Sequence, residues 1–156
     1  MKMLPISFIL NSFLHMSTSN LTRTKLIQAG ISPTAQRVAM GDVLLYKQMH
    51  VTADEIFAMV NERINRSSRA TIYNNLSLFE TVGFIKSFQI EGGITVYDTN
   101  TSPHAHILNE DGKPVDLTLN ADEQEKIEGI LKDSLKRQSM DKMQFNNMDI
   151  VLNTIS

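Results

Sequence analysis

Apolar residues recur every three or four positions through residues 21–82, then at every second position from 84 to 97. That change of period predicts a run of helices followed by a β-hairpin. Asn20 is placed to cap a helix over Leu21–Ala29 that Gly30 closes. Ser32-Pro33-Thr34 reads as a turn, and Thr34 as the N-cap of a second helix reaching about Tyr46. Thr52-Ala53-Asp54-Glu55 is a capping-box pattern ahead of a helix with Ile56, Met59, Val60 and Ile64 on its apolar face. After a polar link, Asn65–Ser67, Ser68 starts a fourth helix with Ile72, Leu76 and Phe79 on one stripe and Gly83 just past its end. Phe84–Ile90 and Ile94–Tyr97 then form strands around a turn at Glu91-Gly92-Gly93. Helices followed by a hairpin of this size predict a winged helix-turn-helix over residues 20–98.

The rest, residues 99–156, has a different rhythm. His106–Leu108 and Val115–Leu119 read as short strands around Glu110-Asp111-Gly112. Asn120 with Glu123 is a second capping signal, opening a helix to about Gln138 with Ile127, Ile130, Leu131 and Leu135 on its apolar face. Phe145–Leu152 reads as a last strand. A segment this small buries little surface alone, which predicts a dimerisation domain completed by a second copy. The fold class expected is therefore α+β: an N-terminal winged helix and a small α/β dimerisation domain. Residues 1–19 are an N-terminal extension. Lys2 and the apolar residues after it weakly resemble a signal peptide, but Pro5, Asn11 and His15 interrupt the run, and it is too short to span a bilayer. An arm packing on the domain behind it is the simpler expectation.

Composition narrows the chemistry. The 156 residues include no cysteine, which removes thiol nucleophiles, redox dithiols and cysteine-ligated zinc. Any metal must be held by histidine, carboxylate, carbonyl or water. The net charge of −2 argues against nucleic acid until it is divided: residues 1–98 carry +2 and residues 99–156 carry −4. The fourth helix leaves Ser68, Arg69, Thr71, Tyr73, Asn74 and Ser77 off its apolar stripe. Those groups suit phosphates and base edges in a major groove, although the same pattern fits a plain solvated face. His104-Ala105-His106 puts two imidazoles on one side of an extended strand. They could close on one metal or be two surface histidines; Asp98, Asp116 and His50 are the other candidate ligands. His15 reads as a surface or packing residue. No Walker pattern, paired carboxylates or Ser/His/Asp series points to an enzyme.

Several of these stretches resemble one family. Ala29–Arg37 (AGISPTAQR) is similar to "AGLRPTxQR" of the ferric uptake regulator family, His50–Ile56 (HVTADEI) to its "HxTAEEI", and Ala70–Leu76 (ATIYNNL) to its "ATVYxxL" recognition helix. Thr95–Asn100 followed by His104-Ala105-His106 looks most like the iron response regulator branch. The resemblance runs over about residues 20–119 and extends more weakly to 152.

It implies a cytoplasmic, dimeric, metal- or haem-responsive transcription regulator, a repressor or other regulator of iron-linked genes bound to palindromic double-stranded DNA, with no membrane partner. His50, Asp98, His104, His106 and Asp116 fall on its regulatory metal site, for Fe, Mn or Zn. It places Tyr73 and Asn74 on base-contacting positions of the recognition helix; with Gln36, Arg37, Ser68, Arg69 and Thr71 they make up the expected DNA-contacting set. Departures accompany it. Asn109 and Asp111 stand near the cysteine positions of the structural zinc, so that site is not expected. The Cys-Pro haem motif is missing, and Ser32 replaces a basic minor-groove residue. Two other expectations stay open: a peroxide sensor whose bound iron oxidises a ligand histidine, with which Asp98 is compatible, and a metal- or haem-binding protein that does not use DNA.

Overall fold

In the computed structural model the described residues are 18–64, 67–102, 104–109, 111–138 and 150–153. The chain divides into two compact units, Met1–Thr101 and Ser102–Ser156. The expected N-terminal arm, His15 and most of the Asn65–Ser67 link lie outside the described residues.

In the first unit, α1 (residues 18–28) and α2 (Ala35–Leu44) precede a short strand β1 (His50–Thr52). Helices α3 (Ala53–Arg63) and α4 (Arg69–Thr81) follow, then β2 (Lys86–Ile90) and β3 (Ile94–Asp98). Thr34, Thr52 and Ser68 cap α2, α3 and α4 through their side chains, and the Thr52/Glu55 box is complete. Asn20 is not a cap: α1 is already helical at residue 18, and the Asn20 carbonyl accepts a hydrogen bond from Thr24 Oγ1.

Both glycine stops work as the pattern implies. After α4 the Gly83 amide donates to the Glu80 carbonyl and the Phe84 amide to the Phe79 carbonyl. Gly83 sits at φ +75°, where a side chain would be strained. Phe84 folds back edge-on to Phe79, ring centroids 5.5 Å apart, so the stop is also a hydrophobic contact. This Schellman turn occupies residues expected to be strand, and β2 starts only at Lys86.

The first unit's core is Leu26, Val38, Met40, Leu44, Ile56, Val60, Ile72, Leu76, Phe79 and Ile85 with their neighbours. Helices α1 and α2 meet at Gly41, where a Cβ would lie 2.5 Å from Cγ2 of the buried Thr22. The sheet is antiparallel with β3 in the middle, pairing β2 on one edge and β1 on the other. Strand β1 pairs His50 with Asp98 and Val51 with Tyr97. Three residues are too few for a period-two run, so nothing in the local pattern marks this strand.

The second unit holds β4 (Ala105–Leu108), β5 (Pro114–Leu117), α5 (Ala121–Arg137) and β6 (Ile150–Asn153). Strand β4 is central, antiparallel to β5 and parallel to β6. Strand β5 already returns the chain, so β5 and β6 run in opposite directions on the two edges of the sheet, and the segment that joins them contains α5. An Asn120/Glu123 capping box starts α5 as expected. No residue of α5 is buried, and Ile130 is 66% exposed. Of the last strand's expected span, 145–149 lie outside the described residues.

Candidate nucleic-acid interface and metal-ligand group

Helix α4 turns Ile72, Asn75, Leu76 and Phe79 into the core and leaves Arg69, Tyr73 and Asn74 exposed. Tyr73 stands 50% exposed. Ser68 Oγ accepts the Thr71 amide at 3.1 Å and lies 2.9 Å from Thr71 Oγ1, so both hydroxyls are tied to the helix start. Asn61 in α3 fixes the approach to α4. Its Oδ1 accepts the Ser67 amide at 2.9 Å, and its Nδ2 donates to the Phe57 and Ser67 carbonyls at 3.0 and 3.3 Å.

Two arginines behave differently. Arg37 is turned inward: Nε donates to Asn75 Oδ1 and Nη1 to the Ser32 carbonyl, each at 3.1 Å. Arg69, the first residue of α4, pairs with Asp54 of α3 and lies over the Phe57 ring, 4.9 Å from its centroid. Gln36 is half-buried in α2, and Ser32 is exposed. The bonds from Asn61 to Ser67, from Arg37 to Asn75 and from Arg69 to Asp54 span six or more residues, where periodicity carries no signal.

In the second unit, His106 on β4 lies opposite Asp116 on β5, and His104 precedes His106 by two residues on the same side. One ring nitrogen from each histidine and a carboxylate oxygen of Asp116 lie within 4.8 Å of one another. His104 Nε2 is 3.0 Å from His106 Nε2 and 3.3 Å from Asp116 Oδ1; His106 Nε2 is 3.8 Å from that oxygen. Ligand atoms on one Zn-sized ion sit roughly 3 Å apart, given metal–ligand bonds of about 2.0–2.2 Å. The spacing therefore fits a divalent transition metal. His104 Nδ1 lies 2.8 Å from the Ser102 carbonyl. A proton on Nδ1 would donate there and leave the Nε2 lone pair facing the group, the usual support for an imidazole ligand. His106 is almost completely buried, at 1% exposure.

The remaining candidates, His50 and Asp98, face each other within the first unit. Their strands are in register at these residues, and His50 Nε2 is 3.7 Å from Asp98 Oδ1. Asp98 is 1% exposed and accepts the Asn100 amide at 2.7 Å. Phe88 lies edge-on to the His50 ring, centroids 6.1 Å apart.

Comparison with known proteins agrees with this architecture. The ferric uptake regulator family model matches residues 28–150. The peroxide-responsive repressor PerR of Staphylococcus aureus (strain Mu50 / ATCC 700699) is 41% identical over 91 residues, covering 58% of this chain and 62% of the relative. That match spans less than two thirds of the relative's length. Among solved structures, the Vibrio cholerae ferric uptake regulator superposes with a TM-score of 0.65 at 22% identity, covering 85% of this chain and 97% of that one. The Pseudomonas aeruginosa ferric uptake regulator with manganese gives 0.64 at 22% identity, covering 86% and 97%. The Campylobacter jejuni peroxide stress regulator gives 0.62 at 17% identity, covering 88% and 94%. These structures support the fold, and the family model over most of the chain supports more: the chain belongs to the ferric uptake regulator family.

Proposed function

We propose that this chain is a metal-responsive transcription regulator, not an enzyme, that binds double-stranded DNA as a homodimer. The observation that carries the reading is α4. It opens on a capped N-terminus, buries one stripe and exposes Arg69, Tyr73 and Asn74 just ahead of a β2–β3 wing. That is the arrangement a major groove accepts. Strand β3 ends at Asp98, paired to His50, and the second unit supplies His104, His106 and Asp116. We propose that these five residues serve one ion, so that its binding energy is realised in only one arrangement of the protein and shifts the population able to hold DNA. Three imidazoles with carboxylates suit Fe(II), Mn(II) or Zn(II), and affinity order alone does not choose among them. Such a regulator acts where the DNA is, in the cytoplasm. Among the described residues no helix is long and apolar enough to cross a membrane.

The dimer reading rests on α5, a 17-residue helix with no buried residue, in a unit whose own core is small. Sedimentation of the full chain should give a dimer even with a chelator present; a monomer under those conditions refutes it. The regulator reading is tested by electrophoretic shift of an AT-rich palindromic duplex with and without Mn(II), Fe(II) or Zn(II). Metal-dependent retardation is expected, and binding of metal without any duplex would leave a metal-binding protein instead.

A second reading has its own support, the 41% identity to a peroxide-responsive repressor. Here the bound iron would sense peroxide by oxidising one of its histidine ligands. Mass spectrometry after peroxide treatment of the iron-loaded protein separates the two, by a gain of oxygen on His50, His104 or His106. Haem is the remaining alternative ligand. A Soret shift on haem titration that is lost in His104→Ala and His106→Ala would favour it over a bare ion.

A further inference from the structure

We propose that Asp54 sets the strength of DNA binding by holding Arg69 away from the phosphate backbone until a duplex displaces it. The proposal rests on the reading of α4 as the DNA-facing helix. Arg69 is the first residue of that helix, one turn before the exposed Tyr73, where a cation would meet phosphate. Its guanidinium is instead paired with the carboxylate of Asp54 and stacked on Phe57. Both partners are well exposed, Arg69 at 60% and Asp54 at 67%, so the pair lies on the surface and is weak enough for a phosphate to break.

Its neighbours make Asp54 distinct. Glu55, next in sequence, is used by the capping box, accepting from both the Thr52 amide and the Thr52 hydroxyl. Asp54 has no part in that cap, and its carboxylate meets the cation of the next helix. Cations are few in this half of the chain: residues 1–98 hold nine lysines and arginines against seven acids. Arg37 is engaged with Asn75 and Ser32. Occupying Arg69 therefore withholds a sizeable share of the charge available for phosphate. When Arg69 moves to DNA, Asp54 is left as an anion beside the duplex. It opposes binding first by competition and then by repulsion, and neither effect depends on base sequence. Asp54 thus sets affinity for all duplexes and leaves discrimination to Tyr73 and Asn74.

The test is a double-mutant cycle read by DNA affinity at low salt. Asp54→Asn, and independently Asp54→Ser, should tighten binding to the operator and to a random duplex by the same factor, about three- to ten-fold. The gain should shrink as salt rises. Arg69→Ala should weaken both duplexes alike, and Asp54→Asn should gain clearly less in that background than in the wild-type protein, since only the repulsion remains to be relieved. Thermal unfolding checks that each variant is folded. A gain of equal size with and without Arg69 overturns the proposal, because Asp54 would then act by general charge alone. Unchanged duplex affinity in both Asp54 variants overturns it too, while the DNA-binding reading stands. A wild-type protein that holds no duplex at any salt or metal concentration overturns both.

Discussion

Arg37 and Asn75 are 38 residues apart, yet Arg37 Nε donates to Asn75 Oδ1 at 3.1 Å. Asn75 is buried on the inner side of α4, beside the exposed Asn74, and Arg37 also grips the Ser32 carbonyl in the turn before α2. One guanidinium thus links the turn at Ser32 to the middle of α4. A planar guanidinium sends its donors out in fixed directions, which a lysine ammonium on a flexible stem does not. The bond to Asn75 helps fix the stretch of α4 that carries the exposed Tyr73 and Asn74.

Asn75→Ala should therefore cost about 1–3 kcal/mol of stability, by removing the acceptor from a half-buried donor. It should also weaken operator binding. Arg37→Lys should show the same pair of effects in milder form. Urea unfolding and filter binding measure them; an Asn75→Ala protein of wild-type stability would show that the bond is incidental.

Tyr73→Ala and Asn74→Ala should each weaken specific DNA binding by roughly 1–3 kcal/mol, the range of a base-edge contact. Their unfolding midpoints should barely move, since both lie off the buried Ile72/Leu76/Phe79 stripe. Unchanged operator affinity in both variants would remove α4 as the reader of sequence.

The histidines separate a local ligand group from a shared one. His104→Ala and His106→Ala should each lower metal affinity by more than roughly 100-fold, because loss of an outer-shell partner alone costs about 10–100-fold. If His50 and Asp98 serve the same ion, His50→Ala should do likewise and also abolish the metal's effect on DNA affinity. Calorimetric titration with Mn(II) or Zn(II) decides this. Wild-type affinity in His50→Ala would confine the site to His104, His106 and Asp116.

Tyr97 gives a pH dependence. Burial pushes its phenol above the ordinary value of 10.0, and the carboxylate of Glu80 and then Tyr73 push the same way. The folded state thus favours the neutral ring more than the unfolded chain does. Stability linked to Tyr97 is complete below about pH 10 and is lost as pH rises through the higher folded value. Urea unfolding between about pH 8 and 11 should show this fall, and Tyr97→Phe should lessen it. An equally steep fall in Tyr97→Phe would assign the loss to other groups.

Where a structural signal lies within about one helical turn or one strand, the sequence alone determined most of the outcome, the start of α1 and the start of β2 excepted. The Thr52/Glu55 and Asn120/Glu123 boxes, the stops at Gly30 and Gly83, the Ile72/Leu76/Phe79 stripe and the same-side pair His104 and His106 all follow from local bonding and side-chain period. Tertiary structure alone decided what depends on two distant segments meeting. Strand β1 exists because His50–Thr52 finds the open edge of β3. Its approach is pinned by Thr99 Oγ1, which donates to the Lys47 carbonyl at 2.8 Å and accepts the Met49 amide at 2.9 Å. His50 thereby faces Asp98, 48 residues on. The Arg37–Asn75 and Asp54–Arg69 pairs arise in the same way. Backbone hydrogen bonds between strands and ion pairs between helices leave no periodic mark on either partner, because each residue's role is set by what folding brings opposite it.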